Sequence, residues 1–260
     1  MLNFLNWMKV TILGSGTSTG VPVVGCRCNV CLSREPKNHR TRTSILISVD
    51  GKNIVIDTPP DFHQQAIANH LEEIDAVLFT HEHADHIFGL DELRMFNFIK
   101  GGPIPIYASA RVISRIRLLY DYIWDPEAPI GGGKPILEAY GVDGEFEIFG
   151  VRVNPIKIYH GSQMIYGYRV EDFAYLTDCS GIPEKSREKL AGLKVLILGA
   201  LRFRPHPTHF SFGQALDEIK LLRPKRAILT HLGHSFDYQE MNSMLPEGVE
   251  LAYDGMVEEV

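Results

Sequence analysis

His81-Glu82-His83-Ala84-Asp85-His86 brings four side chains of metal-binding type together within six residues. The apolar run Ala76-Val77-Leu78-Phe79 precedes it and predicts a buried strand that ends beside the cluster. Imidazole and carboxylate groups are usual ligands of zinc, iron and manganese, and hydrolytic sites leave one metal position open for water. An extended or turning backbone would direct His81 and His83 to one metal, and Asp85 and His86 to another.

Three further residues of the same chemical types each follow an apolar, strand-like run. They are His160 after Ile156–Tyr159, Asp178 after Ala174–Thr177 and His231 after Ala227–Thr230. Any one of them alone is as readily an ordinary surface or core polar residue as a ligand. Joined to the first cluster they give seven candidate ligands, a number that suits two metal ions.

Strand and helix patterns extend on both sides of the cluster. Asp50-Gly51 separates the alternating segments Ser44–Val49 and Asn53–Ile56 and is typical of a β-hairpin. Further strands are predicted at Lys9–Leu13, Ile104–Tyr107, Phe146–Ile148, Arg152–Ile158, Ile165–Val170, Phe173–Leu176 and Val195–Leu198, and helices at Asp61–His70, Leu90–Phe98, Ser109–Ile123 and Ser211–Leu222. We expect an α/β (α+β) fold of two mixed sheets covered by helices, in one domain over residues 1–260.

The composition limits the classes of partner. A net charge of −6 and a pI near 6.0 give no whole-protein attraction for nucleic acid, but they do not exclude a local basic patch. No apolar run approaches the roughly 18 to 20 residues that span a bilayer, and Met1–Trp7 carries neither a basic region nor a cleavage site. We therefore expect a cytoplasmic protein that does not bind membranes.

Three of the four cysteines lie in Cys26-Arg27-Cys28-Asn29-Val30-Cys31, in a segment at about 20–35. This spacing indicates a metal clip rather than a secreted disulfide framework. The alternative is a group of reduced thiols packed in a glycine-rich loop. The fourth, Cys179, is interpreted as a small packing residue and is given no role.

The order His-x-His-x-Asp-His, then a lone His, Asp and His, resembles the metallo-β-lactamase superfamily over nearly the whole chain. The resemblance implies a four-layer αββα sandwich. It also implies a first metal on His81, His83 and His160, a second on Asp85, His86 and His231, and Asp178 as the bridge. The metals would be zinc, manganese or iron. His83 stands where an oxygen-reducing di-iron branch carries glutamate, so hydrolysis is favoured.

The segments Leu13–Thr17 and Gly20–Pro22, with the cysteine motif, resemble PhnP-type cyclic phosphodiesterases, which are relatives of tRNase Z. This branch implies a structural zinc held by Cys26, Cys28, Cys31 and His234, and makes a homodimer plausible. It also places an active-site element at His209-Phe210-Ser211. His209 is thus the candidate general acid for the leaving alkoxide, while Ser211 is alternatively a helix N-cap.

Catalysis would begin with a metal-bridging hydroxide, oriented by Asp85, which is also a ligand. Asp57 either accepts a hydrogen bond from a metal-binding histidine and so orients it, or caps the end of the hairpin. Two further groups could contact a phosphate: the Gly131–Lys134 loop, and Arg202 with Arg204. The alternative is an ordinary solvated loop and a charged strand end. His206 could contact substrate, and the sequence does not decide its role.

We expect a phosphodiesterase that cleaves small, cyclic or nucleotide-like phosphodiesters. Two alternatives remain. One is an RNA 3′-processing endonuclease like tRNase Z. That family grips tRNA with a flexible protruding arm, and no glycine- and lysine-rich insertion of suitable length is found here. The other is a metal-binding accessory protein of the same fold that performs no turnover.

Overall fold

The structure is a computed structural model that describes residues 8–128 and 133–260. The chain divides into two compact units. The first comprises residues up to 13, 44–143 and 255–260, and the second comprises 14–43 and 144–254. Each unit is built on a seven-stranded sheet. The prediction of two sheets carrying helices is confirmed, while a single domain over 1–260 stays a prediction.

The first unit has the sheet order β14-β1-β2-β3-β4-β5-β6. Its strands are β1 (Met8–Gly14), β2 (Ser44–Val49), β3 (Lys52–Ile56), β4 (Ala76–Leu78), β5 (Ile104–Ala108), β6 (Leu137–Gly141) and β14 (Val257–Glu259), and its helices are α1 (Phe62–Ala68), α2 (Ala84–Ile87), α3 (Leu93–Lys100), α4 (Ala110–Leu119) and α5 (Asp121–Trp124). A short 3-10 turn over Leu90–Glu92 precedes α3. The predicted hairpin forms, since β2 and β3 pair antiparallel, whereas β3, β4, β5 and β6 run parallel.

The second unit has the sheet order β13-β12-β11-β10-β9-β8-β7. Its strands are β7 (Phe146–Ile148), β8 (Val151–His160), β9 (Gln163–Val170), β10 (Phe173–Leu176), β11 (Val195–Gly199), β12 (Arg226–Thr230) and β13 (Val249–Leu251), and its helices are α6 (Glu184–Glu188), α7 (Phe212–Leu222) and α8 (Tyr238–Asn242). β10 to β13 are parallel, and β7 to β10 are antiparallel. Both sheets are therefore mixed.

Each unit has its own apolar core. In the first unit the core includes Phe62, Val77 and Ile106, all fully buried. In the second it includes Ile156, Leu196 and Leu229, also fully buried. Because central parallel strands are covered on both faces, they consist of continuous apolar runs, as in Val195–Gly199. The strands are thus fixed firmly enough to position the loops at their ends.

The glycine-rich loop after β1 is held in place by hydrogen bonds. The half-buried carboxylate of Asp254 accepts hydrogen bonds from the backbone N–H and hydroxyl of Ser15 and from the same groups of Thr41. Gly16 N–H donates to Thr41 O at 2.7 Å. A Cβ at Gly16 would lie only 2.7 Å from Arg40 O, so a larger residue does not fit without movement.

The helix predicted over Ser211–Leu222 begins one residue later, because Ser211 is its N-cap. Ser211 Oγ accepts from Gln214 N–H, and Gln214 Oε1 accepts from Ser211 N–H, which is a capping box. Among the described helices, none is long and apolar enough to cross a membrane.

Candidate metal centre

In the first unit, the candidate residues lie at the carboxyl ends of two adjacent parallel strands. β3 ends at Ile56 and is followed by Asp57, while β4 ends at Leu78 and leads through Thr80 to His81. Neighbouring parallel strands end at the same edge of a sheet, so these residues meet there. His83 caps α2, and Asp85 and His86 lie in that helix.

The ligand-type atoms of this unit lie in two close pairs. His81 Nε2 lies 3.0 Å from His83 Nδ1, and His86 Nε2 lies 3.4 Å from Asp85 Oδ2. Tetrahedral zinc holds two such ligand atoms about 3.3 to 3.4 Å apart. His81 thus lies beside His83, and Asp85 beside His86; the division of these residues between two metals stays a prediction.

Asp57 is the buried residue that orients both pairs. Its Oδ2 accepts from His86 Nδ1 and from Thr80 Oγ1, each at 2.7 Å, and its Oδ1 accepts from Thr80 N–H at 2.8 Å. The Thr80 hydroxyl therefore accepts from His81 Nδ1, 3.0 Å away. This pattern leaves the Nε2 atoms of both histidines as the ligand atoms. Burial raises the pKa of Asp57, and its hydrogen-bonded neighbours act against that effect.

In the second unit, the candidates again lie at one edge of the sheet. Asp178 follows β10 by two residues, and His231 directly follows β12, which runs parallel to β10. His160 is the last residue of β8, and β8 runs in the same direction as β10 because each is antiparallel to β9. All three side chains are buried.

The side-chain geometry of this second group also suits metal ligation. His231 Nε2 lies 3.3 Å from Asp178 Oδ1. His160 Nδ1 lies 2.8 Å from Asp178 O and 2.9 Å from Thr208 O, so it donates to these carbonyls and leaves Nε2 as the ligand atom. A metal-binding histidine commonly donates its other ring N–H in this way.

Three of the candidate residues have left-handed backbone conformations. Asp57, Asp178 and His231 have φ angles of 65°, 53° and 56°. Such conformations are uncommon outside glycine and are concentrated at functional sites. Each of the three lies where a strand ends and the chain must turn to present a side chain at the edge.

His209 lies within the second group. Its ring stacks on that of His231 at 4.9 Å, and its Nδ1 is 3.8 Å from Asp178 Oδ2. Burial lowers the pKa of His209 to about 3, which Asp178 opposes and His231 reinforces. The imidazole is therefore neutral near pH 7. Proton donation by His209 needs a further negative charge beside it, in addition to Asp178.

Other residues singled out from the sequence have simpler surroundings. His206 Nδ1 accepts from Thr208 Oγ1 at 3.1 Å, and burial lowers its pKa. Cys179 is packed in the core of its unit, and burial raises its pKa, so it is a thiol. Lys134 donates to the carbonyls of Tyr122 and Asp125. Gly131 and Gly132 of the same loop lie outside the described residues.

The cysteine clip brings its four residues together inside the second unit. His234 Nδ1 lies 3.2 Å from Cys26 Sγ and 3.5 Å from the Sγ atoms of Cys28 and Cys31. Tetrahedral zinc places a sulfur and an imidazole nitrogen about 3.5 Å apart. The four side chains are thus close enough to share one metal ion, and a structural zinc at the clip stays a prediction.

The thiols of the clip are in unequal environments. The Cys31 N–H lowers the pKa of Cys28 to about 6, whereas burial raises the pKa of Cys31 to about 11. Zinc binds thiolates, so a zinc ion held here would require Cys31 to lose its proton. Val21 and Val30 pack beside the clip and form a small apolar cluster with Cys31.

Comparison with known proteins agrees with this geometry. Residues 52–232 match the model of the β-lactamase superfamily domain. A crystal structure of a diphosphatase from the PhnP family is 40% identical, with a TM-score of 0.91 over 98% of this chain and 97% of that one. The chain belongs to the PhnP branch of the metallo-β-lactamase superfamily. Its fold class is therefore the αββα metallo-β-lactamase fold that the sequence predicted.

Two other relatives extend the comparison. An octanoyltransferase of Porphyromonas gingivalis is 40% identical over 96% of this chain, but the chain spans only 51% of that protein. Zn²⁺-bound PqqB from Methylobacterium extorquens is 21% identical, with a TM-score of 0.78 over 97% of this chain and all of that one. The PqqB structure thus shows a shared fold, in a protein that holds zinc.

Thr80 is the residue that the sequence did not single out. Its hydroxyl connects Asp57 to His81, and its N–H binds the same carboxylate. Only the pairing of β3 with β4 brings it beside Asp57, so its adjacency to His81 in the chain was the sole available signal.

Proposed function

We propose that this chain is a metal-dependent phosphodiesterase that cleaves phosphodiester or diphosphate linkages in small phosphorylated compounds. The observation that supports it best is the 40% identity to a PhnP-family diphosphatase across almost the full length of both chains. The cysteine clip supports the same branch, because its atoms have the separations of a zinc site. A homodimer remains part of this proposal.

The proposed ligand sets follow the superfamily order. His81, His83 and His160 would hold one ion, and Asp85, His86 and His231 the other, with Asp178 as a ligand to both. A separate structural zinc would be held by Cys26, Cys28, Cys31 and His234. Two divalent ions would supply an activated water and stabilise charge that develops at phosphorus. The donor set of nitrogens and carboxylate oxygens suits zinc, manganese and iron alike.

The chain's own residues would perform the remaining tasks. Asp57 and Thr80 fix the rotation of the His86 and His81 rings by hydrogen bonds to Nδ1. The Nε2 atom of each ring is therefore the one left for a metal. Asp85 would orient the attacking water through its carboxylate. His209 is neutral in its buried setting; the negative charge of a bound phosphate would raise its pKa, so that it takes up a proton from solvent and then donates that proton to the leaving oxygen.

The test is metal reconstitution followed by a substrate panel. Metal-free protein is loaded with zinc or manganese, its metal content is measured, and hydrolysis of bis(p-nitrophenyl) phosphate, a cyclic nucleotide and a nucleoside diphosphate sugar is followed. We expect three ions per chain and hydrolysis of at least one phosphorus substrate. Asp85→Ala should lose about 100-fold or more in rate, whereas Asp217→Ala, on the exposed face of α7, should keep full activity. Failure with all three substrates, with Asp85→Ala no different from the native chain, would refute the proposal.

A second candidate follows from the octanoyltransferase relative, which is 40% identical to this chain. It is hydrolysis of an acyl ester or thioester, in which an activated water attacks carbonyl carbon instead of phosphorus. An octanoyl thioester added to the same panel separates the two. Thioester cleavage without phosphodiester cleavage would replace the first proposal by the second.

A further inference from the structure

A pocket in the second unit lies on the same loops as His209 and His231 but uses different residues. Its volume is about 600 Å³, and three short segments line it: Thr17–Thr19, Leu201–Arg204 and Gly233–Ser235. Small-molecule sites commonly measure about 300 to 1,000 Å³. We call it the Phe203 pocket.

The connections to the candidate ligands are short. The loop after β11 carries Phe203 and Arg204 and reaches His209 five residues beyond Arg204. The turn after β12 carries His231 and then Gly233. A group held in the Phe203 pocket therefore touches the same two loops that present His209 and His231.

Phe203 offers a flat apolar surface in a fixed orientation. Its side chain is 50% exposed, yet its ring packs edge-on against Phe236 at 4.8 Å and Phe212 at 5.5 Å. Phe236 is completely buried and anchors this contact. An exposed aromatic face that is already held rigid binds a planar ring at little entropic cost.

The charge of the pocket favours an anion. The residues that line it include Arg202 and Arg204 and no carboxylate. Arg202 donates to Arg204 O and Pro205 O, so it holds the loop in shape. Arg204 has an exposed side chain. An arginine beside an aromatic face matches a nucleoside phosphate, whose base stacks and whose phosphate accepts from the guanidinium.

We propose that the Phe203 pocket binds the nucleoside phosphate half of the substrate, with the base on Phe203 and the non-reacting phosphate on Arg204. The proposal rests on the phosphodiesterase function above and narrows its substrate class to nucleoside diphosphate compounds. Phe203 and Arg204 are specificity residues in this scheme and take no part in the chemical step.

Three substrates separate the two contacts. Methyl p-nitrophenyl phosphate has neither base nor second phosphate, uridine 5′-(p-nitrophenyl phosphate) adds the base, and UDP-glucose adds both. Base stacking on an aromatic ring contributes about 1 to 3 kcal/mol. We therefore expect Phe203→Leu and Phe203→Ala to raise KM about 5- to 100-fold for both uridine substrates and to leave the methyl ester within twofold.

Arg204→Ala should raise KM about tenfold for UDP-glucose alone, and Arg204→Lys should recover part of the loss. Arg115→Ala, which removes an exposed charge on α4 of the other unit, is the matched control and should change nothing. Native-like kinetics of the Phe203 and Arg204 variants on UDP-glucose would overturn the inference. Equal losses on all three substrates would overturn it too, because they indicate a structural role.

Binding distinguishes a wrong pocket from a wrong reaction. Calorimetric titration of the metal-loaded protein with uridine 5′-diphosphate needs no turnover. If none of the substrates is hydrolysed, the proposed function fails, yet weaker binding to Phe203→Leu than to the native chain still supports the pocket. Equal binding to both proteins refutes the pocket whatever the activity.

Discussion

Replacing Asp57 by asparagine is the sharpest test of how the metal centre is organised. The carboxylate accepts three hydrogen bonds, from His86 Nδ1, Thr80 Oγ1 and Thr80 N–H. Asparagine keeps the shape but presents an NH₂ group on one side. Both carboxylate oxygens accept hydrogen bonds, Oδ1 from Thr80 N–H and Oδ2 from His86 and the Thr80 hydroxyl. Whichever way the amide turns, its NH₂ group therefore faces at least one of these donors.

The size of the effect follows from that clash. A buried donor left without an acceptor costs about 1 to 3 kcal/mol, and about 1.4 kcal/mol is a factor of ten in an equilibrium constant. The His86 ring would lose its fixed rotation, and His81 would lose it indirectly through Thr80. We therefore expect Asp57→Asn to weaken binding of both catalytic ions about 10- to 100-fold, in line with other groups that orient metal-binding histidines.

Competition against a chromophoric chelator measures this affinity directly, and thermal melting of the metal-free protein measures stability separately. Asp75→Asn is the matched control. Asp75 is a buried aspartate of the same unit that accepts from Lys52 Nζ and Asn53 N–H, far along the sheet from the histidines. The Asp75→Asn variant should have a lower melting temperature and an unchanged metal affinity. If Asp57→Asn behaves in that same way, Asp57 is only a cap at the hairpin end and the orienting role is wrong.

The remaining predictions concern the clip, the leaving group and the loop after β1. Cys28→Ser should reduce zinc from three ions to two per chain and lower the melting temperature, as measured by elemental analysis and calorimetry; retention of the third ion would contradict the clip. His209→Asn should slow hydrolysis of alkyl phosphodiesters about 100-fold or more but affect p-nitrophenyl esters far less, since nitrophenolate leaves without a proton; equal losses would remove its role as general acid. Gly16→Ala should destabilise the fold by about 1 to 3 kcal/mol, because its Cβ would meet Arg40 O; unchanged urea unfolding would contradict this.

The long, regular elements could be predicted because local pattern determines them. The hairpin at Asp50-Gly51 forms in the expected register, with Val49 opposite Lys52. Short elements were predicted only in part: the three-residue strand β7 was predicted with its observed bounds, whereas β13, β14 and α2 were not predicted. A three-residue strand such as Val257–Glu259 has too few positions to show alternation, and its pairing with β1 depends on a partner almost 250 residues away.

The ligand types of the metal centre could be predicted from motif and order, but their orientation could not. A sequence shows that His81 and Asp85 are of the right chemistry, and it does not show which ring nitrogen is fixed by a neighbour. That information lies in pairings such as β3 with β4, which bring Asp57 to Thr80. The buried setting of His209 is likewise a property of packing, so its lowered pKa could not be anticipated.

The left-handed backbone conformations of Asp57, Asp178 and His231 lower the stability of the fold. A non-glycine residue in this conformation carries strain on the order of 1 kcal/mol or more, and glycine would relieve it at Asp57, Asp178 or His231. Glycine has no carboxylate or imidazole to place at the sheet edge, however. A chain selected for stability alone would turn at these strand ends with glycine, as it does at Gly51 and Gly161. Ligand-type side chains at strained positions in both sheets are therefore best explained by selection for binding at the two edges, at some expense of stability.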